Sequence, residues 1–412
     1  MKRSGWMGFV AARWYRSGKE QGASLRPATM GIAVGVAALL CVIGVMNGFQ
    51  MGFMDAVLDF DSYHIRIPSI SATQEEILAA VPDAICAIPF MDVRTMLVNS
   101  SGKASAIRIK IMPDNVGLLD PSFKGKMLLD SGSFETGLVV GSELARTLDL
   151  RAGNIVSVLS VTADEDEGVA AGMIDLPVSG IFHSGYFDFD SALTFVPSSL
   201  SAGLGSGEQS ITGIRLPDRY SDARALAQLE IAGIQGAQSW REYNSSFFGA
   251  LRMEKSIMMI LVGLIFIVVG VNIFHSMRKA VYGRIEDIAT LKAFGADSRA
   301  IRWIFIMNGF VAGGTGALTG LVAGLLVTMN INGIFAGIEM ILGTLSSFFG
   351  DIIPMFRFFS PDLFYIGEVP VRLLFSETLF ITAAGVVSAL AAAWVASSRV
   401  SIILPSEVIR DE

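Results

Sequence analysis

The chain has 412 residues, of which 52% are hydrophobic and only 17% are charged, with a formal net charge of -7. Soluble domains carry about 25% charged residues, so this composition excludes an ordinary soluble protein and indicates a membrane protein with a sizeable aqueous part. The cysteines, Cys41 in an apolar run and Cys86 in a polar region, do not predict a disulfide framework.

Four runs are apolar enough to cross a bilayer, which takes about 20 residues. We predict membrane spans at 28–49, 255–277, 303–329 and 373–396. The first run could instead be a cleaved signal peptide. However, residues 1–27 form a long basic region and no small-residue cleavage site follows the run. A fifth apolar stretch, 333–349, contains Glu339 and three glycines, and we interpret it as interfacial or packed against protein.

Lysine and arginine are distributed unevenly between the connecting segments. Residues 1–27 and 278–302 each carry six of them, whereas 330–372 carries two. The positive-inside rule therefore places the amino terminus, segment 278–302 and the tail 397–412 on the cytoplasmic side of the membrane. Segment 50–254 then lies outside, and its 26 acidic against 14 basic residues argue against nucleic-acid binding.

Segment 50–254 mixes strand-like alternation with helical periodicity. The alternation occurs at 96–112, 155–161, 176–182 and 192–197, and the helical pattern at 73–81, 142–150 and 221–233. Thr73 and Ser221 precede two of these helices and are expected to be their N-caps. The fold class predicted is therefore an integral membrane protein with four transmembrane helices and a large α+β periplasmic domain inserted between helices 1 and 2.

Residues 1–27 contain a short amphipathic pattern before the first span. Trp6, Phe9, Val10 and Trp14 fall near one face of a helix. Aromatic side chains favour headgroup depth, so we expect a helix at the inner membrane interface.

Motifs for catalysis are missing from the sequence. No lysine that follows a glycine is itself followed by Ser or Thr, so there is no phosphate-binding P-loop. His64, His183 and His275 lack metal-ligand spacing, and the acidic run 164–167 lacks the spacing of a calcium loop. The apolar runs 28–49, 256–274, 303–329 and 373–396 contain no lysine, arginine or aspartate, and Glu377 lies near an end, which argues against a proton relay. We therefore expect no enzyme activity, no metal and no cofactor in this chain, with energy supplied by a partner.

Glycines are spaced for close packing of the helices. Pairs four residues apart occur in the first and third spans, at Gly31, Gly35, Gly309, Gly313, Gly316, Gly320 and Gly324. Such spacing lets helix backbones approach each other, although membrane helices also tolerate glycine in general.

The stretch 284–301 is polar and helical in pattern, although it connects two apolar spans. Ile285, Ile288 and Leu291 recur at helical spacing, and Gly295 predicts the end of the helix. Such a helix can be an ordinary inner-leaflet surface helix, or it can receive force from a soluble motor.

Several stretches together resemble the lipoprotein-releasing permeases, the LolC/LolE family, within the four-span permeases that include the macrolide exporter and the cell-division permease. They are VMNGF (45–49), ALRMEK (250–255), GVNIF (270–274), IEDIATLKAFGA (285–296) and PSEVIR (405–410). The resemblance continues through GLVVGSELARTLDLRAGN (137–154), GIFHSGYFDFDSALTFVP (180–197) and SWREYNSSFFGALRMEK (239–255), so it extends over nearly the whole chain.

This resemblance implies partners and a mechanism. Such permeases pair with a second homologous subunit, or a second copy of themselves, and bind a dimer of cytoplasmic ATPases that holds ATP and magnesium. An acylated lipoprotein is extracted from the outer leaflet of the inner membrane and released to a periplasmic carrier. Two alternatives remain open: export of a peptide or drug, and regulation of a cell-wall hydrolase without transport.

The resemblance also implies roles for individual residues. The ATPase-coupling helix would comprise Glu286, Asp287, Ile288, Ala289, Leu291, Lys292, Gly295 and Ala296. The lipoprotein would contact Met46, Asn47, Phe49, Met51 and Phe53 on one side and Ile260, Leu264, Val268 and Val271 on the other, together with membrane lipid. Apolar, methionine-rich walls suit acyl chains because they adapt in shape and leave no polar group to desolvate.

Two segments depart from the family pattern. Segment 162–175, which matches a carrier-recruiting hairpin, is acidic and contains no proline or basic residue. Segment 330–372 is longer than the family pattern leads us to expect, and its phenylalanine-rich part at 346–359 could contact membrane or substrate. The sequence therefore leaves open whether the chain is LolC-like or LolE-like.

Overall fold

The computed structural model describes residues 5–17, 26–120, 123, 128–132, 134, 136–164, 168–204, 209–349 and 369–398. The chain divides into two compact units. Among the described residues, the helical unit comprises 5–17, 26–50, 251–349 and 369–398, and the inserted domain comprises those within 51–250. Most of the tail 397–412, the tip of the acidic segment 162–175 and residues 350–359 of the phenylalanine-rich part lie outside the described residues.

The described helices and strands are as follows in chain order. The helices are α1 (Gly5–Ser17), α2 (Arg26–Ala56), α3 (Gln74–Ala80), α4 (Val116–Leu119), α5 (Ser142–Thr147), α6 (Phe187–Ala192), α7 (Asp222–Ile231), α8 (Trp240–Tyr243), α9 (Ser245–Tyr282), α10 (Ile285–Ala293), α11 (Ser298–Met329), α12 (Ile331–Phe349) and α13 (Phe375–Ser397). The strands are β1 (Ile65–Pro68), β2 (Cys86–Val98), β3 (Ala104–Met112), β4 (Leu128–Gly132), β5 (Leu138–Gly141), β6 (Ile155–Asp164), β7 (Gly168–His183), β8 (Leu193–Pro197), β9 (Ile211–Arg215) and β10 (Gln238–Ser239).

Four helices in the described residues are long and apolar enough to cross a membrane, and each contains one predicted span: α2, α9, α11 and α13. Two of them extend well past the predicted limits. α9 begins at Ser245, and α2 continues to Ala56 and then as a π-helix over Val57–Ser62. The extensions carry polar side chains, so hydropathy, which detects only the apolar part of a helix, gives no signal for them.

Helix α11 uses its glycines on two faces to pack against two neighbouring helices. Gly316, Gly320 and Gly324 face α2, whereas Gly309 and Gly313 face α13. A Cβ atom at Gly320 would lie 2.6 Å from the carbonyl oxygen of Ala33. One at Gly313 would lie 2.6 Å from the Cβ atom of Ala389. Side chains larger than hydrogen are therefore excluded at both contacts.

The two glycines of the first span differ in how closely other helices approach them. A Cβ atom at Gly35 would lie 3.2 Å from the Val269 side chain, so this glycine faces α9. A Cβ atom at Gly31 would meet nothing within 4 Å. The structure thus places Gly35 in a helix contact within the chain and leaves Gly31 outside one.

Segment 369–374 runs beside the carboxy-terminal half of α2. The carbonyl oxygen of Gly44 accepts a hydrogen bond of 2.9 Å from the Arg372 backbone. A Cβ atom at Gly48 would lie 2.0 Å from the carbonyl oxygen of Pro370. The Asn332 side chain of α12 accepts a hydrogen bond of 2.9 Å from Val369. The stretch 333–349, which we interpreted as interfacial or packed against protein, lies within the helix α12. This helix is not among the four candidate spans of the described residues.

The ten described strands of the inserted domain form one sheet. Its order is β10-β1-β9-β2-β3-β8-β5-β7-β4, and β6 pairs with both β2 and β7. The alternating segment 96–112 is two strands, because a turn at Asn99–Lys103 joins β2 to β3. Strands β6 and β7 form a long antiparallel hairpin that contains segment 162–175.

The predicted caps in this domain have different outcomes. The Thr73 side chain accepts a hydrogen bond from the Glu76 backbone, and Glu76 accepts one in return, so α3 begins with a full capping box. Ser221 precedes α7 in the expected place, but its side chain makes no capping hydrogen bond. The prediction for the Ser221 side chain was therefore wrong.

Buried charges surround the π-helical segment Val57–Ser62 within the inserted domain. Arg215 forms ion pairs with Asp59 at 2.8 Å and with Asp120 at 2.7 Å. Lys110, which is 1% exposed, donates a hydrogen bond of 2.9 Å to the Phe60 carbonyl oxygen and another to that of Asp61. Burial lowers the pKa of Lys110 to about 7. The strands of the sheet therefore hold this segment through ionic contacts as well as through apolar packing.

Candidate functional site: an apolar pocket and a short polar helix

A cavity of about 220 Å³ lies among α2, α9 and α13 of the helical unit. Apolar side chains form most of its wall: Ile43, Met46, Met258, Met259, Val262, Phe380 and Ile381. Polar side chains form the rest: Asn47, Gln50, Lys255, Ser376 and Glu377. The volume corresponds to roughly seven water molecules at their liquid density, and the pocket joins an apolar wall to a polar end.

Glu377 is the centre of the polar end. Asn47, which is buried, donates a hydrogen bond of 2.5 Å to one oxygen of the Glu377 carboxylate. Lys255 donates one of 2.8 Å to the other oxygen. Nearby, Gln50 of α2 donates a hydrogen bond of 3.4 Å to Glu254 of α9. One carboxylate thus connects three helices that are distant in sequence.

The structure divides the residues predicted to contact a lipoprotein on the first span. Met46 and Asn47 line the pocket, whereas Phe49 and Met51 are half-buried and do not line it. Phe53 packs inside the inserted domain, with ring centroids 4.6 Å from Phe247 and 5.6 Å from Phe189. Phe53 therefore stabilises an aromatic cluster and does not form a pocket wall.

On the second span the predicted residues lie on a different helical face from the pocket. Ile260, Leu264, Val268 and Val271 are each about half exposed or more and do not line it. Lys255, Met258, Met259 and Val262 share the pocket face, because they are spaced three and four residues apart. The predicted wall residues thus lie on the same helix as the pocket lining but on another face, and their contact with a lipoprotein stays a prediction.

The polar stretch 284–301 forms the short helix α10 and the beginning of α11. α10 ends at Ala293, and Gly295 has a left-handed φ of 87°, so Gly295 and Ala296 follow the helix and are not part of it. Glu286 and Asp287 lie in the first turn and Lys292 in the last, the arrangement that the helix dipole favours.

The eight residues of the predicted coupling set differ in exposure. Ile288 and Ala289 are buried, with 0% and 1% of their surface exposed, and Ile288 belongs to a cluster with Val281, Ile301 and Phe305. Leu291 and Ala296 pack against the same cluster. Glu286 and Gly295 are exposed, and Asp287 and Lys292 are partly exposed. A partner could therefore contact the charged side of this helix, whereas its apolar side belongs to the fold.

Helix α1 packs against this cluster through Trp14. The Trp14 ring lies 5.4 Å from the Phe305 ring, and the guanidinium of Arg284 lies 5.1 Å from the centre of the Trp14 ring. Arg284 also donates a hydrogen bond of 3.2 Å to the Trp14 carbonyl oxygen and pairs with Asp287 at 3.0 Å. Trp14 thus contacts protein, whereas Phe9 on the same helix is 66% exposed.

Sequence reasoning did not identify Lys255 and Glu377 as a pair. Each lies near the end of an apolar run, where a charge has an ordinary explanation at the membrane interface. The only signal in the sequence was that Glu377 was the one carboxylate within the predicted spans. Its partners, Asn47 and Lys255, are separated from it by 330 and 122 residues.

Comparison with known proteins agrees with the motifs. Residues 259–405 match the family model FtsX-like permease C-terminal. The lipoprotein-releasing system transmembrane protein LolC of Xylella fastidiosa (strain 9a5c) is 27% identical, covering 93% of this chain and 92% of that protein. LolC of Neisseria meningitidis serogroup B (strain MC58) is 26% identical over the same shares, and LolE of Haemophilus influenzae (strain Rd) is 24% identical over 92% of each chain. The solved periplasmic region of MacB from Actinobacillus actinomycetemcomitans is 11% identical and covers 44% of this chain and 82% of that structure, at a TM-score of 0.28.

The family model, the similar permeases and the four apolar helices support a multi-pass membrane permease of the ABC transporter class. Within that class, the relatives over 92–93% of the chain confirm the resemblance to the lipoprotein-releasing LolC and LolE proteins.

Proposed function

We propose that this chain is the permease subunit of an ABC transporter that extracts acylated lipoproteins from the outer leaflet of a bacterial inner membrane. It releases them to a periplasmic carrier, and a separate cytoplasmic ATPase dimer, which binds ATP and magnesium, drives the cycle. A second homologous permease subunit, or a second copy of this chain, completes the membrane part. Both termini lie in the cytoplasm, and the inserted domain is periplasmic.

The observation that carries this proposal is the pocket among α2, α9 and α13. Three of its wall residues, Met46, Met258 and Met259, are methionines, whose flexible side chains adapt to ligands of irregular shape. Each methylene group exposed to water costs about 0.8 kcal/mol, so an apolar wall that shields part of an acyl chain during extraction avoids several such increments. The polar end at Glu377 and Lys255 can receive the polar head to which an acyl chain is attached.

The short helix α10 is the proposed contact for the ATPase. Its apolar side is fixed by Ile288, which lies in the cluster with Ile301 and Phe305 of α11, so motion of α10 displaces α11 as well. Its exposed side presents Glu286 and Lys292 to a soluble partner. This arrangement fits a helix that transmits movement into a span.

Photo-crosslinking tests the assignment of the pocket. We would place a photoreactive residue at Met259, which lines the pocket, or at its neighbour Ile260, which does not. Each variant would be irradiated in native membranes with and without ATP. We expect adducts with acylated lipoproteins from position 259, and we expect ATP to reduce them.

Comparison of the adducts from positions 259 and 260 distinguishes the possible outcomes. Adducts from 260 and none from 259 would move the substrate to the exposed face of α9 and contradict the pocket. No lipoprotein adduct from either position, in a complex that still hydrolyses ATP, would reject lipoprotein release. In that case, a captured peptide would favour the exporter, and the absence of any ligand would favour the hydrolase regulator.

A further inference from the structure

A second cavity lies within the inserted domain. It encloses about 580 Å³ beside strands β1, β2, β3 and β9. Its polar lining comprises Arg66, Asp92, Arg94, Arg108, Gln209, Gln238 and Tyr243. We call this cavity the arginine cleft. Its basic lining contrasts with the domain around it, in which acidic residues outnumber basic ones.

Strand register explains why these charges share one face of the sheet. Asp92 is paired with Lys110, and Arg94 is paired with Arg108, on the antiparallel strands β2 and β3. Side chains two residues apart along a strand point to the same face. All four side chains therefore lie on the face that lines the cleft, and two arginines are direct cross-strand neighbours.

Like charges in directly opposed positions destabilise a sheet. Nearby carboxylates can offset this repulsion by forming ion pairs. Arg108 pairs with Asp61 at 2.6 Å. Arg66 lies 3.3 Å from Asp92 and 3.6 Å from the same Asp61. Arg66 and Arg108 thus pair with two carboxylates, whereas Lys110 donates to backbone carbonyl oxygens. The excess of positive charge falls at the Arg94 end, where the side chain has no ion-pair or hydrogen-bond partner within the described residues.

The exposure of the three arginines gives each a different role. Arg66 is 4% exposed, and its guanidinium stacks on Tyr243 at 3.7 Å, so it is part of the fold. The Arg108 side chain is 22% exposed, and Arg94 is exposed. Arg108 and Arg94 can therefore reach a ligand, while Arg66 with Asp61 and Asp92 fixes the floor of the cleft.

We propose that the arginine cleft is a binding site for a phosphate group, with Arg94 and Arg108 as the residues that hold it. A carboxylate is satisfied by a single guanidinium fork. A tetrahedral phosphate has further oxygens for a second guanidinium, and cross-strand neighbours are only about 5 Å apart. The amides of Gln209 and Gln238 at the rim can donate to a phosphate ester. The phosphate belongs either to a phospholipid headgroup or to a soluble phosphate ester, and this site is separate from the proposed acyl-chain pocket.

The test measures binding of glycerol 3-phosphate to the full-length protein in an uncharged, phosphate-free detergent at constant ionic strength. We expect Arg94→Gln to weaken binding about tenfold or more, because hydrogen bonds to charged groups contribute about 1.5–3 kcal/mol. Arg151→Gln removes the same charge from an exposed site of this domain outside the cleft. That control should change binding less than about twofold, since exposed charges are screened.

The other results of this experiment either reject the phosphate site or identify the source of the phosphate. If wild type shows no saturable binding, or if both variants lose affinity equally, the site is rejected. Binding of a polyglutamate peptide that depends on Arg94, without binding of glycerol 3-phosphate, would also overturn it in favour of an acidic protein partner. Competition by phosphatidylglycerol micelles would assign the phosphate to a lipid headgroup, and its absence would assign it to a soluble ester.

Discussion

The Asn47 amide donates a hydrogen bond to the Glu377 carboxylate across 2.5 Å, and this bond joins the first membrane helix to the last. Lys255 binds the same carboxylate from α9, but its side chain is 53% exposed, whereas Asn47 is 7% exposed. The two bonds therefore differ in how strongly water competes with them, although they share one acceptor.

We predict that Asn47→Ala destabilises the protein by about 2 kcal/mol, because it removes a buried hydrogen bond to a charged group. Lys255→Ala should cost less than about 1 kcal/mol, as is usual for an exposed ion pair. Reversible unfolding of the detergent-solubilised protein would measure both. Equal losses would mean that burial does not set the strength of these bonds, and Glu377→Gln in each background would give the coupling.

Glycine contacts of α11 provide a second prediction. Gly320→Ala should destabilise the protein by about 1–3 kcal/mol, because the added methyl group would overlap backbone atoms of α2. The matched control is Gly314→Ala on the same helix, where a Cβ atom meets nothing within 4 Å. Replacing that glycine should be neutral or slightly stabilising. Thermal unfolding of the two variants would show whether the glycines act by close packing or by their general tolerance in membrane helices.

A third prediction concerns Lys110. Its pKa falls to about 7 in the folded domain because of burial, whereas an unfolded lysine titrates near 10.4. Between these values the unfolded chain binds a proton that the folded chain does not, so the Lys110 contribution to stability rises with pH. It is complete above about pH 10.4, is lost as pH falls towards about 7, and is constant below that.

The change Lys110→Met isolates this effect. Wild type should gain up to about 1.4 kcal/mol more stability per pH unit than the variant between pH 7 and 10. Urea unfolding of both proteins at several pH values, followed by near-ultraviolet circular dichroism, would measure the difference. If the unfolding free energies of the two proteins changed in parallel with pH, the lowered pKa of Lys110 would be refuted, since every other titrating group is common to both.

The fourth prediction is that Trp14 holds α10 in place. A cysteine at Ala289, which is 1% exposed, should react slowly with maleimide in an otherwise wild-type chain. Adding Trp14→Ala should raise that rate at least several-fold, because Arg284 and Phe305 lose the ring they pack on. A cysteine at Thr290, which is exposed, is the matched control and should react rapidly in both backgrounds.

The native cysteines do not obscure this measurement. Burial raises the pKa of Cys86 to about 12, so its thiol stays protonated and unreactive, and Cys41 can be replaced by alanine. If Trp14→Ala left labelling at position 289 unchanged, α1 would have no part in positioning α10. ATP hydrolysis by the assembled complex would then be expected to be insensitive to Trp14 as well.

The sequence predicted the four apolar helices and the short helix after Arg284, because apolar runs and helical periodicity are local signals, although α2 and α9 extend well past the predicted spans. It did not predict the surroundings of Phe53, whose apolar side chain fits a lipid contact and an aromatic cluster equally well. Only the fold, which brings Tyr186, Phe189 and Phe247 to it, distinguishes the two. The arginine cleft was hidden for the same reason, since Arg66, Arg94 and Arg108 lie on three strands and share no spacing.

Contacts with helices distant in the chain also determine which face of α9 lines the pocket. Both faces of that helix are apolar, so periodicity in the sequence could not choose between Met259 and Ile260. The choice depends on α2 and α13, which lie more than a hundred residues away in the chain. Long-range contacts of this kind leave no local pattern.

The ionic contacts around Val57–Ser62 have a consequence for the helix that ends there. A helix end exposes carbonyl groups with partial negative charge, and such ends normally fray. Here Lys110 and Arg66 donate to the terminal carbonyl oxygens of Phe60, Asp61 and Ser62, so basic side chains from the sheet take the place of water. An end held in this way cannot absorb a pull or a twist by unwinding, and any displacement of the segment is passed directly to strands β1 and β3.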